Sequence, residues 1–251
     1  MVVVTELEAV TALRAAGCVF AEQEAAVLIE AAPDGDALAH LVARRATGEP
    51  LEQVVGHADF CGVRVRLRPG VFVPRLRSEL LVRLAVAHAR EDAVVVDLCC
   101  GSGALGLAVR RWRPDIRLYA ADLDGAAVAC ARDNLGDHVY QGDLFDALPP
   151  LAVDVLIANV PYVATRHIPL LPAEARDHEP RRALDGGADG LDVFRAVVAE
   201  APRWLAPGGL LLSEITEAQI EPAVAAVRAA GLRAGIERNE DLEAIAVAGM
   251  R

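Results

Sequence analysis

The chain has little that would let it hold a metal, cross a membrane or leave the cell. Its five cysteines, Cys18, Cys61, Cys99, Cys100 and Cys130, form no CxxC pair, and none of the six histidines is placed to complete a zinc set. No metal is expected, and reduced thiols point to a cytoplasmic protein. The opening MVVVTELEAV carries no basic run, and its apolar stretch is too short for a secretion signal or a membrane span. Repeats and low-complexity tracts are absent. Aromatics make up only 4% of the residues, with three tyrosines, so a tyrosine at a strand end stands out. Positive charge is also short: 25 Lys and Arg stand against 36 Asp and Glu, a formal net charge of -11. Such a surface repels phosphate backbones, so stable nucleic-acid binding is not expected. The densest basic stretch is Arg64, Arg66, Arg68, Arg75 and Arg77. It reads as a solvated hairpin face, with a local anion patch as the alternative.

At 251 residues and 54% apolar, the chain is long enough for one large α/β domain and a small companion. Residues 1–50 read as a small helical domain suited to docking a substrate. Thr5 and Glu8 match a capping box, Gly17 is a stop, and Asp36 can cap ALAHLVARRAT. Residues 51–74 read as a linker hairpin, in which DFCG turns the alternating VRVRL back on QVV. Residues 75–251 read as the main domain, where Ser78 can cap ELLVRLAVAHA. There the strands AVVVDL, IRLYAAD, HVYQGD, VDVLIAN and GGLLLSEI alternate with helices. Alternation of this kind implies a mostly parallel, doubly wound, Rossmann-like sheet, with ligands beyond the carboxyl ends of its strands.

The first of these strands runs into DLCCGSGALG, whose Gly101, Gly103 and Gly106 spell GxGxxG. A nicotinamide dinucleotide is one reading and a plain tight turn is another. Asp97 discriminates, because a carboxylate four residues before Gly101 repels a pyrophosphate and suits the ammonium and sulfonium of S-adenosylmethionine. The alternative for Asp97 is a carboxylate bonded to the turn's own amides. Asp122, ending the next strand, can accept both ribose hydroxyls; the alternative is a helix cap, for which Asp124 is better placed. Asp143 can accept from the adenine amine, with Leu144 or Phe145 against the ring; core packing is the alternative for both, and the preferred one for Phe145. Cys99, Cys100, Gly101, Ser102 and Gly103 complete the expected cofactor turn. Cysteines fit there only if the backbone does not need a positive φ.

The stretch NVPY, Asn159 to Tyr162, ends the fourth of these strands. The Asn159 side-chain oxygen and the Val160 carbonyl are two acceptors at fixed spacing, suited to the two hydrogens of a planar NH2. Pro161 fixes its own φ and aims the turn, and Tyr162 offers a flat apolar face. Acceptors pulling on both hydrogens pyramidalise an amide nitrogen, free its lone pair and stabilise the positive charge that builds during methylation. An Asn-Pro turn with a surface tyrosine is the plain alternative.

With these motifs in place, the chain resembles the protein-(glutamine-N5) methyltransferases, which methylate the Gln of the GGQ motif in peptide-chain release factors. DLCCGSGAL is similar to the family's DLGTGSGAI, NVPY to its NPPY, and PRLRSE to its PRPETE, while HEPRRALDGGADGL and LAPGGLLLSEI are also close. The resemblance implies a class I S-adenosylmethionine-dependent methyltransferase with a helical docking domain, a protein substrate and catalytic Asn159, Val160, Pro161 and Tyr162. Departures at Val160, Cys99, Cys100 and Arg77 imply a divergent branch. The rivals are a nucleic-acid amino methyltransferase using the same grip, a nicotinamide dehydrogenase, and a binding module that has lost turnover.

Overall fold

The computed structural model describes residues 5–251; residues 1–4, which open the expected helical domain and include most of the first apolar run, lie outside the described residues. Helices α1 (Glu6–Ala15), α2 (Ala21–Ala31) and α3 (Gly35–Ala46) form the small helical unit. Thr5 and Glu8 cap each other's amides as a capping box at α1. At α3 the cap is Asp34, whose Oδ1 accepts the Ala37 amide at 2.8 Å; Asp36, the expected cap, lies within the first turn. Leu13, Leu28, Leu38 and Val42 bury the faces of the three helices against one another and against Val54.

QVV is not a strand. It lies in α4 (Leu51–Val55), which follows Pro50 and ends where Gly56 adopts a φ of 78°. The hairpin forms one step later: β1 (His57–Phe60) pairs antiparallel with β2 (Val63–Arg66). Cys61 and Gly62, with φ of 49° and 76°, make the two-residue turn whose twist suits a hairpin.

Helix α5 (Glu79–His88) leads into the main sheet. Ser78 does not cap it, because its hydroxyl is engaged elsewhere. The sheet has seven strands in the order β5 (Val139–Gln141), β4 (Arg117–Asp122), β3 (Val94–Leu98), β6 (Val153–Ala158), β7 (Leu205–Glu214), β9 (Ala244–Met250), β8 (Arg233–Asn239). The first five run parallel, and β9 and β8 return antiparallel. Helix α6 (Ala104–Trp112) joins α5 on one face, while α9 (Asp192–Trp204) and α10 (Ile220–Ala229) cover the other. On β3, Val94, Val96 and Leu98 enter one core and Val95 the other, which is why the strand is apolar except at Asp97. Helix α7 (Gly125–Leu135) packs over Ala120 and Val139, and α8 (Ala173–His178) lies in the long segment after NVPY.

Leu98 of β3 faces Ala158 of β6, so the Gly-rich turn and NVPY leave the sheet side by side at the switch in strand order. Among the described residues no helix is long and apolar enough to cross a membrane.

Candidate active site

One cleft at this sheet edge is lined by the turn after β3, by Asp122 and Asp124 after β4, by Asp143 and Leu144 after β5, and by NVPY after β6. The linker residues Gly70, Val71, Phe72 and Pro74 close one side, and Pro180, Arg182 and Ala183 another. Of the sequence-derived residues, Cys99, Cys100, Gly101, Ser102, Asp122, Asp143, Leu144, Asn159, Val160, Pro161 and Tyr162 all line the cleft.

Two expected cofactor residues stand behind its wall. Gly103 has a φ of 76°, and a Cβ there would come 2.7 Å from Leu135, so this glycine serves the contact between α6 and α7. Asp97 is fully buried. Its Oδ2 accepts the Gly106 amide at 2.8 Å, the scaffold role held open for it, while its buried Oδ1 meets no donor among the described residues. Burial pushes its carboxyl up to about 7; the Gly106 amide opposes the shift and the nearby Asp122 adds to it.

Asp122 receives the Gly101 amide on Oδ2 and the Asp124 amide on Oδ1, both at 2.8 Å. Each oxygen keeps a lone pair for a ligand hydroxyl. Asp124 caps α7 through the Ala126 amide at 2.8 Å, so the cap role does not fall to Asp122. Phe145 is core, stacked on Trp204 with ring centroids 5.2 Å apart. The expectation that Cys99 avoids a positive φ is wrong: its φ is 57°, and the turn keeps the left-handed backbone without a glycine.

Behind NVPY lies a network that the sequence reading missed. Asn159 Nδ2 donates to Ser78 Oγ at 3.1 Å, and Ser78 donates to Glu214 Oε2 at 2.6 Å. Tyr162 donates to Glu214 Oε1 at 2.7 Å, and Arg77 Nε pairs with the same oxygen at 2.6 Å. Arg77 also donates to the Tyr162 hydroxyl and lies over its ring, 5.6 Å from the centroid. Burial and the Glu214 charge raise the Tyr162 phenol well above its ordinary value. The signal for Glu214 was visible in GGLLLSE, where a lone acid ends a buried strand as Asp122 does. Of the five arginines in the basic stretch, Arg64, Arg68, Arg75 and Arg77 are ion-paired, to Asp59, Asp133, Glu179 and Glu214, which leaves exposed Arg66 alone without an ion pair among the described residues.

Two acceptors remain. Among the described residues, buried Asn159 Oδ1 has no hydrogen-bond partner and the Val160 carbonyl receives no hydrogen bond. A buried acceptor left open in this way costs about 1–3 kcal/mol unless a ligand fills it. The cleft therefore joins an anionic, hydroxyl-accepting end to an amine-accepting end. These residues fit S-adenosylmethionine: Asp122 and Asp143 suit hydroxyl and amine donors, and their charge disfavours a pyrophosphate.

This fold and cleft define a class I S-adenosylmethionine-dependent methyltransferase. The profile of the family described as "Methyltransferase small domain" matches residues 62–175. A methyltransferase from Pyrococcus furiosus shares the fold, with a TM-score of 0.58 and 13% identity over 75% of this chain and 89% of that one. Release factor glutamine methyltransferases of Mycolicibacterium smegmatis and Moorella thermoacetica are 44% and 38% identical to the chain. Those matches cover 70% and 79% of this chain, and 66% and 72% of the relatives. A 4-amino-L-phenylalanine/4-methylamino-L-phenylalanine methyltransferase of Streptomyces pristinaespiralis is 40% identical over 76% of this chain and 70% of its own. The chain spans about two thirds of the length of these curated relatives. It belongs to the release factor glutamine methyltransferase family. The dehydrogenase reading of GSGALG is thereby overturned.

Proposed function

We propose that the chain methylates the side-chain amide nitrogen of a glutamine in a protein, with a peptide-chain release factor as the partner its relatives' names suggest. The observation that carries this is the pair of acceptors with no hydrogen-bond partner among the described residues, Asn159 Oδ1 and the Val160 carbonyl, on two residues that line a cleft suited to S-adenosylmethionine. When bound, the cofactor supplies an electrophilic methyl. The turn from Cys99 to Ser102, with Asp122, Asp143 and Leu144, holds it, and Asp97 supports that turn from below. Asn159 and Val160 accept the two hydrogens of the glutamine NH2, localise its lone pair and stabilise the charge that develops on nitrogen. Pro161 and Tyr162 shape the slot and hold the nitrogen in line. Excess acidity and the paired arginines count against a nucleic-acid acceptor.

The helical unit is the docking element of this reading. Leu7, Val19 and Phe20 stand 75%, 85% and 64% exposed on it, apolar side chains available to a protein partner. We place the reaction in the cytosol, in keeping with five free cysteines.

The test is methyl transfer from labelled S-adenosylmethionine to a purified release factor, followed by mass spectrometry of the modified peptide. Label on glutamine, lost in Asn159→Ala, supports the reading. Label in RNA sinks it. The Streptomyces relative favours a second reading, a free aromatic amine, whose nitrogen lone pair is likewise delocalised. Label on 4-amino-L-phenylalanine and none on the release factor would select that reading. Tight cofactor binding with no transfer to any of the three would leave a binding module.

A further inference from the structure

The hydrogen bonds behind Asn159 can run in only one direction. Glu214 is almost fully buried and ion-paired with Arg77, so it offers acceptors and no proton. Ser78 and Tyr162 must therefore point their hydroxyl protons at it, over 2.6 Å and 2.7 Å. With its proton so placed, Ser78 Oγ can only accept, and the atom of Asn159 that faces it at 3.1 Å must be the NH2 nitrogen. The two ends of an asparagine amide are nearly the same size, so packing alone does not choose between them. This chain of bonds does.

We propose that Ser78 and Glu214 are positioning residues that lock the Asn159 amide with its oxygen presented to the acceptor nitrogen, a role that rests on the amine-grip reading above. An Asn159 side chain turned by half a revolution would offer N–H to the substrate's N–H, donor against donor. The grip would then be lost with no residue displaced. Glu214 also receives Tyr162, so one buried carboxylate fixes both side chains that flank the turn. Arg77 belongs to this arrangement as the counter-charge of Glu214.

The experiment compares full-length wild type, Ser78→Ala, Ser78→Thr, Glu214→Gln and Asn159→Ala. It uses S-adenosylmethionine and a purified release factor, or 4-amino-L-phenylalanine where that is the acceptor used. Turnover, KM for the acceptor, cofactor Kd by calorimetry and melting temperature are read for each. Ser78→Ala is expected to lower kcat about tenfold or more with cofactor Kd within about threefold of wild type, as for loss of one oriented polar group at a reacting centre. Ser78→Thr, which keeps the hydroxyl, restores kcat to within about threefold. Glu214→Gln can donate to Ser78, reverse the chain and release the amide, so it loses kcat as Ser78→Ala does. The proposal is overturned if Ser78→Ala turns over at the wild-type rate, or if Ser78→Thr is as poor as Ser78→Ala while both melt normally. An inactive Asn159→Ala beside a fully active Ser78→Ala would sink the positioning role alone. A fully active Asn159→Ala would sink the amine grip with it.

Discussion

A methyl group placed on Gly186 would sit 2.5 Å from the Pro161 carbonyl oxygen and 2.6 Å from that of Gly190. The DGGADGL loop thus runs directly beneath the NVPY turn, and Gly186 is required there for space, since its φ is not positive. Gly186→Ala must push one backbone off the other. We expect kcat to fall about tenfold or more through misplacement of the turn, with a lower melting temperature. Gly235→Ala is the control, because a Cβ there meets only Ala248, at 3.9 Å. Its activity should match wild type. Equal kinetics for the two variants would show that NVPY does not rest on this loop.

Cys99 carries the left-handed backbone that the resemblance assigns to a glycine. With a φ of 57° it sits where a Cβ costs roughly 1–2 kcal/mol. Its side chain packs partly against the core around Leu98, which complicates removal of the sulfur. The clean comparison is between two truncations. Cys99→Gly should be more stable than Cys99→Ala by about 1 kcal/mol, or about 2–4 °C in melting temperature for a chain of this size. Cys99→Ala melting at or above Cys99→Gly would show that the turn relaxes around the side chain.

Cys99 also marks where the sequence stopped being legible. Alternation with helices located β3, β4, β5, β6 and β7, of which β3, β6 and the second half of β7 are buried on both faces, and each runs into a polar or glycine-rich turn. It missed β8 and β9, whose RAGIERN and AIAVAGM are short of large apolar residues and which reach the sheet only by pairing back on β7. The motif at each strand end placed Asp122 and Asn159 on the cleft, since topology alone puts strand ends there. It could not show that Asp97 and Gly103 stand behind the wall, a matter of one turn's backbone path. Nor could it show that Ser78, 136 positions from Glu214, would turn from capping α5 to holding a carboxylate. Long-range hydrogen bonds leave no local periodicity to read.

Asn134 offers a test of how the hairpin is tied to the cofactor turn. Its Oδ1 accepts the Arg66 amide at 2.9 Å, and its Nδ2 donates to the Arg66 and Ser102 carbonyls, both at 2.9 Å. One side chain thus completes the edge of β2 and holds a residue that lines the cleft. Asn134→Ala strands these backbone groups and should cost about 2–3 kcal/mol in urea unfolding. Weaker cofactor binding should accompany it, because Ser102 loses its tether. Unchanged cofactor Kd alongside the lost stability would confine Asn134 to the hairpin.

Asp97 makes the stability of the ligand-free protein depend on pH in an unusual direction. Its folded-state carboxyl is raised to about 7, above the ordinary value of 3.8, chiefly by burial. Between those values the folded chain holds a proton that the unfolded chain has released. The slope of unfolding free energy with pH is therefore negative for this group, and its penalty grows as pH rises from about 4 to about 7 and then levels off. Asp97→Asn cannot ionise, and its side-chain oxygen can still accept the Gly106 amide. The difference in unfolding free energy between Asp97→Asn and wild type should accordingly move in favour of the variant across that window and stay constant above it. Chemical denaturation of both proteins at pH 5, 6, 7 and 8 measures it. A difference that is flat, or that favours wild type increasingly as pH rises, would mean that Asp97 is ionised in the fold with a partner for Oδ1 that the structure does not show.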